Sequence, residues 1–285
     1  MAEPPYGIPI GLEPLVARVL APNPSPFTFT GTQSYLVGTD TLAVIDPGPD
    51  DAAHHGALLQ AIGARQVTAI LITHHHRDHS PGARALAAAT GAPIIGAAPF
   101  VGEDAATRSD ASFDADYRPD RVLADGEAIE GEGWTLEAVA TPGHTSNHLA
   151  FALRESGALF SGDHVMGWST SVVSPPDGNM GQYIASLEKL LGRSDRIYYP
   201  GHGDIVEAPQ RMVRGMLGHR KQREGQILRR LAAGPERIEP LVAGMYAGLD
   251  ERLLPAARQS VLAHLIDLDA RGLVRQEDGV WSSRP

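Results

Sequence analysis

Thr73-His74-His75-His76-Arg77-Asp78-His79 places four histidines and an aspartate within seven residues, in the spacing His-x-His-x-Asp-His. In an extended backbone successive side chains alternate, so His74 and His76 fall on one side and two imidazoles can reach one cation. Asp78 and His79 lie beyond a turn, within reach of a second cation. His75 alternates away from its neighbours, toward solvent or behind the ligands. The residues just before, Val67–Ile72 (VTAILI), are β-branched and continuously apolar, the pattern of a strand buried on both faces. The cluster therefore sits at the end of a buried strand.

Three later elements supply what this stretch lacks. Thr141-Pro142-Gly143-His144-Thr145 presents His144, Ser161-Gly162-Asp163-His164 presents Asp163, and Tyr199-Pro200-Gly201-His202-Gly203 presents His202. Each follows an apolar strand and sits in a glycine-containing turn, where side chains leave the end of a sheet rather than enter a core. Together they offer a third nitrogen, a bridging carboxylate and a further nitrogen. The chain contains no cysteine, so a metal here has only nitrogen and oxygen ligands.

Outward from these motifs the chain reads as alternating strands and helices. Ser34–Val37 and Leu42–Ile45 flank Gly38-Thr39-Asp40 as a hairpin that ends at Asp46-Pro47-Gly48-Pro49. A helix is expected from Pro81 to Thr90 and a short strand at Pro93–Ile95. Residues 97–120 lack periodicity and are expected to form a loop or irregular helix beside the site. Trp134–Ala140 reads as a strand, His148–Arg154 and Ala158–Ser161 as a second hairpin, Met180–Leu191 as a helix and Arg196–Tyr199 as a strand. His54 and His55 are expected to begin a surface helix. Thr170–Gly178, rich in Ser, Pro and Gly, leaves the Asp163 turn and borders the pocket with no chemistry assigned to it.

The pattern changes near residue 210. Arg211–Leu231 reads as a long amphipathic helix with Met212, Met216, Ile227 and Leu231 on one side. Helices near Pro240–Tyr246 and Pro255–Ala270 follow, the second with His264 at the edge of a core. Then Leu273–Arg275 and Val280–Ser282 flank an Asp-Gly turn. Helix, helix and hairpin is the order of a winged-helix unit, giving a 1–210 catalytic domain and a 211–285 winged-helix-like domain.

The 285 residues carry a net charge of −10, against a surface devoted to nucleic acid. Residues 211–285 hold 13 of the 24 basic and 9 of the 34 acidic residues, a net of +4, which leaves −14 for residues 1–210. The first ten residues show no basic-then-apolar leader and no run is long enough for a membrane span, so a cytoplasmic protein that does not engage a membrane is expected.

Asp46, His74-x-His76-x-Asp78-His79, His144, Asp163 and His202 together resemble the motif set of the metallo-β-lactamase superfamily, over roughly residues 30–210. The resemblance implies an α/β fold, a four-layer αββα sandwich. It implies that His74, His76 and His144 hold one metal, that Asp78, His79 and His202 hold a second, and that Asp163 bridges both. Asp46 would orient a ligand without binding metal, with His148 and His164 beside the ligands in a similar supporting place. Gly143-His144-Thr145, Ser161-Gly162-Asp163, Tyr199-Pro200-Gly201-His202-Gly203 and His219-Arg220 are more narrowly similar to the lactamase-beta-2-like branch, which adds a C-terminal winged-helix-like region. Its members include an endoribonuclease and thioesterases acting on polyketide acyl carriers. Gln33 departs from the asparagine common in that branch. The missing cysteine argues against antibiotic hydrolysis, since the main dizinc lactamases use one at the second metal.

The expected activity is that of a dinuclear zinc hydrolase. Two Zn²⁺ ions, with Mn²⁺ or Fe as alternatives, would lower the pKa of a shared water and polarise a substrate oxygen, and Asp78 would be the catalytic acid-base. The acyl reading takes a small-molecule or carrier-linked ester or thioester. A metal-dependent phosphodiesterase or endoribonuclease on single-stranded RNA is the alternative, motivated by the basic C-terminal segment. A non-enzymatic metal sensor that reads DNA comes third, because Asp267 and Asp269 on its candidate recognition helix would face phosphate badly.

Overall fold

The computed structural model describes residues 4–100 and 113–284, so part of the segment read above as a loop or irregular helix, 101–112, lies outside the described residues. Two compact units divide the chain. The first comprises 1–141, 147–169 and 194–209, the second 142–146, 170–193 and 210–285. The second unit thus takes two segments from before residue 210, and residue 210 stays as our proposed end of the catalytic region.

In the first unit β1 (Ile10–Glu13), β2 (Val16–Leu20), β3 (Gln33–Val37), β4 (Thr41–Ile45), β5 (Gln66–Ile72), β6 (Ile94–Gly96) and β7 (Arg121–Val122) form one sheet in that order. The pairings are antiparallel from β1 to β4 and parallel from β4 to β7. Helices α1 (Ala52–Ile62) and α2 (Gly82–Thr90) make the parallel crossovers. A second sheet has the order β12-β11-β10-β9-β8, from β8 (Ala128–Gly131), β9 (Trp134–Ala140), β10 (Leu149–Leu153), β11 (Ala158–Gly162) and β12 (Ile197–Pro200). Only β11 and β12 pair in parallel. Strands β1, β2, β7 and β8 are additional to those expected.

Side-chain alternation explains the layering. Tyr35, Val37, Ala43, Ile45, Ala69 and Leu71 meet Leu136, Ala138, Leu149, Phe151 and Phe160 in a core between the two sheets. The intervening Leu36, Leu42, Val44, Ile70 and Ile72 pack with Leu58 and Ile62 of α1 and Ala83 and Leu86 of α2. Each such aliphatic side chain contributes about 1.5–3 kcal/mol by leaving water. This is the helix–sheet–sheet part of the expected αββα sandwich. His54 corrects the expectation of a surface histidine: it shares the buried stripe of α1 with Leu58 and Ile62 at helical spacing.

The second unit contains α3 (Met180–Leu191), α4 (Pro209–Ala233), β13 (Glu236–Arg237), α5 (Ile238–Met245), α6 (Leu254–Ala270), β14 (Val274–Glu277) and β15 (Val280–Ser283). Its three strands pair in the order β13-β15-β14. Ile227 and Leu231 of α4 pack with Leu241, Val261, Leu265, Leu268, Val274 and Trp281, as the winged-helix order requires. Several of its basic residues meet acids, which leaves the net +4 of residues 211–285 in place. Arg230 meets Glu236, Arg258 meets Glu239, Arg271 meets Glu224 and Asp267, and Arg284 meets Asp269. Among the described residues no helix is long and apolar enough to cross a membrane.

Candidate metal centre

Strand direction gathers the motifs at one end of the sandwich. β4 and β5 run parallel, so Asp46 and Thr73 leave neighbouring strand ends. β11 and β12 also run parallel, so Asp163 and His202 do the same. Loops at the carboxyl ends of parallel strands are where an α/β sheet presents a ligand site.

Asp46 organises the histidine stretch. It sits at φ 47, a left-handed conformation an aspartate tolerates at some cost. Ser34 Oγ donates to its carbonyl at 2.5 Å, and His54 Nε2 lies 2.8 Å from the same hydroxyl. The Asp46 carboxylate accepts from Thr73 N–H at 2.8 Å, Thr73 Oγ1–H at 2.7 Å and His79 Nδ1–H at 2.8 Å. Because the Thr73 hydroxyl proton goes to Asp46, the 3.0 Å contact of Thr73 Oγ1 with His74 takes an Nδ1–H from that ring. One carboxylate therefore sets the tautomer of His79 directly and of His74 through Thr73. In both rings the lone pair lies on Nε2, the arrangement a metal-ligating imidazole needs.

His202 follows the same rule, donating Nδ1–H to the Gly31 carbonyl at 3.2 Å. Its Nε2 lies 3.2 Å from His79 Nε2, 3.1 Å from Asp78 Oδ2 and 3.4 Å from Asp163 Oδ2. His74 Nε2 lies 3.0 Å from His76 Nδ1. One ligand atom each from Asp78, His79 and His202 falls within 4.8 Å of the others, as does one each from His74, His79 and Asp163. The first group is the set expected for the second metal.

The electrostatics call for positive charge. Burial disfavours the charged form of each group, yet the opposite charges prevail. Asp163, Asp78 and their hydrogen bonds raise His202 to about 9. Asp78, Asp163 and Asp46 likewise raise His79 well above an ordinary histidine. His79 and His202 hold Asp78 well below the usual carboxylate range, and His202 and His79 do the same for Asp163. Two imidazole Nε2 atoms facing each other between two carboxylates fit a divalent cation, which would take the place of the protons that the acids otherwise hold there, and the thiolate-free donor set suits zinc, manganese or iron.

Residues around this group hold it in shape. His148 donates Nδ1–H to Thr141 Oγ1 at 2.8 Å and accepts the Asp163 backbone N–H on Nε2 at 3.1 Å, fixing the Asp163 turn. His164 is buried with its ring 5.9 Å from that of His148. Gly201 leaves no room for a side chain, since a Cβ there would lie 2.6 Å from Asp163 Oδ1 and 2.7 Å from His79 Cε1. Gln33, the departure noted in the sequence, accepts from Arg18 and donates to the Gly203 carbonyl at 2.6 Å, tying β3 to the His202 loop. His75 is buried, not solvent-facing, with its ring edge-on to Phe113 at 4.6 Å.

His144 lies on the segment 142–146, in the second unit. It donates Nδ1–H to the Val172 carbonyl at 2.6 Å, so this ring too carries its lone pair on Nε2. Gly143, at φ 135, brings the turn against α3, where a Cβ would come within 2.3 Å of the Tyr183 backbone. The Gly143 carbonyl accepts from Asn179 N–H, the Pro142 carbonyl from Ser186 Oγ, and Asp177 accepts from Ser146 N–H at 3.0 Å and from its hydroxyl. The segment 170–178, to which no chemistry was assigned, is what holds this histidine.

Residues 27–202 match the metallo-beta-lactamase superfamily, and residues 238–281 match the beta-lactamase associated winged helix domain. The chain is 34% identical over 276 residues to the beta-lactamase-like protein 2 homolog of Drosophila melanogaster, covering 91% of this chain and 89% of that protein. It is 31% identical over 227 residues to an atrochrysone carboxyl ACP thioesterase of Aspergillus fumigatus, covering 76% of this chain and 65% of that protein. Among solved structures, a metallo-beta-lactamase family protein of Thermus thermophilus has the same fold, with a TM-score of 0.78, 24% identity and coverage of 96% and 100%. With the donor geometry, these likenesses show that the chain belongs to the metallo-β-lactamase superfamily, as a metal-dependent hydrolase with a C-terminal winged helix domain.

Proposed function

We propose that the protein is a dinuclear zinc hydrolase that cleaves a thioester or ester bond of a small or carrier-linked acyl substrate. The observation that carries the metal assignment is the shared tautomer of His74, His79, His202 and His144, each spending Nδ1–H on an oxygen. In this reading His74, His76 and His144 would hold one ion and Asp78, His79 and His202 the other, with Asp163 as the carboxylate available to both. When bound, the ions supply a Lewis acid for the acyl oxygen and bring the pKa of water near neutrality. The protein's own part is to hold the ligands. Asp46 and Thr73 fix His74 and His79, and His148 fixes Asp163. Asp78, whose side chain is 26% exposed, is the carboxylate that can meet solvent or substrate; ionised, it would accept the proton of the attacking water and pass it on to the leaving group.

The acyl substrate class rests on the thioesterase relative. The net +4 of residues 211–285 keeps the RNA reading as the second one, and superfamily membership disfavours the non-enzymatic sensor. The test is a panel of acyl thioesters, esters, lactones, phosphodiesters and single-stranded RNA with metal-stripped and zinc-reconstituted protein. Zinc-dependent thioester hydrolysis that is lost in His76→Ala is the expected result. Zinc-dependent cleavage of RNA with no acyl hydrolysis would overturn the substrate assignment, and elemental analysis identifies which metal the purified protein carries.

A further inference from the structure

Arg220, on α4, is 2% exposed, and among the described residues no carboxylate lies within ion-pair distance of it. Its guanidinium donates from Nη2 to the Ser171 carbonyl and lies with Cζ 5.0 Å from the centre of the Tyr183 ring. Burying a cation against a carbonyl and a ring alone is costly, and a protein gains little stability from such a group. What the guanidinium touches gives it a use. Ser171 precedes Val172, whose carbonyl takes the His144 Nδ1 proton at 2.6 Å. Tyr183 is the residue whose backbone packs on Gly143, beside His144. Arg220 thus grips both walls of the turn that carries His144, and every one of these contacts lies within the second unit.

We propose that Arg220 is a positioning residue for the metal centre: it anchors the Ser171–Val172 backbone and the Tyr183 ring so that the Val172 carbonyl holds His144 in the tautomer and orientation of a metal ligand. This role for Arg220 rests on His144 being a ligand, as proposed above. Supporting partners one step behind a ligand set metal affinity by about 10–100-fold, so the expected effect falls in that range.

The experiment titrates metal-free protein with Co²⁺, followed by its visible absorption, and with Zn²⁺ by equilibrium dialysis. His144→Ala, Arg220→Met and Arg220→Lys are compared with the unaltered chain. Arg220→Met keeps the aliphatic packing and removes the guanidinium, while lysine restores the charge and one donor. The expected result is that Arg220→Met weakens one of the two ions about 10-fold or more, the same ion that His144→Ala loses. The other ion keeps its affinity, the melting temperature of the metal-free protein is unchanged, and Arg220→Lys recovers part of the loss. Two outcomes would overturn the proposal: unaltered binding of both ions by Arg220→Met, or equal weakening of both together with a lowered melting temperature. If Arg220→Met does not fold, Arg220→Lys decides by the same criteria, selective weakening of that one ion supporting the proposal and unaltered or uniformly weakened binding overturning it. If His144→Ala itself binds both ions normally, the ligand assignment fails, and with it the role given to Arg220.

Discussion

His202, beyond the end of β12, faces Asp78 and Asp163, whereas the electrical neighbours of His264, midway along α6, are Arg220, His219, Arg271 and Arg223. The two rings are buried alike, 1% and 2% exposed. Burial penalises the imidazolium in both places, so desolvation cannot separate them; the sign of the surrounding charge does. Acids carry His202 up to about 9, while burial and the neighbouring cations push His264 down to about 3. One environment is arranged to receive positive charge and the other to exclude it. Carboxylate neighbours and an oxygen that takes the Nδ1 proton mark His202, and His264 has neither among the described residues.

The comparison breaks most visibly if the acids are removed from the His202 side. Asp163→Asn or His202→Ala should deprive the protein of one or both ions. The hydrolytic rate should then fall by about 10³-fold or more, since metal polarisation is worth several kcal/mol. Metal content and kcat measured on the same preparation check this, and a variant that keeps both ions and its rate would remove His202 or Asp163 from the ligand set. A smaller effect is expected from Gly201→Ala, which leaves every ligand in place but pushes a methyl between Asp163 Oδ1 and His79 Cε1. Zinc affinity should drop about 10–100-fold, as for other disturbances one step behind a ligand. Competition with a chelator of known affinity measures it.

Legibility in the sequence follows the kind of contact. The spacing of His74, His76, Asp78 and His79 and the three glycine turns were readable because side-chain identity and position carry the signal. The hairpins at Gly38–Asp40 and Glu155–Gly157 were readable for the same reason, their turns lying between apolar runs. What stayed hidden depends on backbone atoms or on distant partners. The Val172 carbonyl that orients His144 and the Gly203 carbonyl that accepts from Gln33 leave no mark in residue type. His75 is buried by Phe113, which lies in a stretch without periodicity. His54 did carry a signal, its spacing to Leu58 and Ile62, which two adjacent histidines obscured.

The mildest test of the comparison uses pH on the His264 side. His264 has a folded pKa of about 3 against about 6.5 unfolded, so between those values the unfolded chain binds the extra proton. A depressed base of this kind costs nothing above the unfolded value, and stability declines as pH falls below about 6.5. At pH 5 the decline from this one group is about 2 kcal/mol, at about 1.36 kcal/mol per unit. Replacing it in His264→Leu should leave stability near pH 7 within about 1.5 kcal/mol, a buried ring exchanged for a side chain of similar bulk. It should also make the metal-free protein less sensitive to acid. His202 predicts the opposite slope: its raised pKa stabilises the metal-free fold below about 6.5, and that contribution is lost as pH rises through about 9. Denaturant midpoints of metal-free wild type, His264→Leu and His202→Ala across pH 5 to 9 measure both slopes. Parallel curves for all three would mean that the charges around the two rings do not govern their protonation.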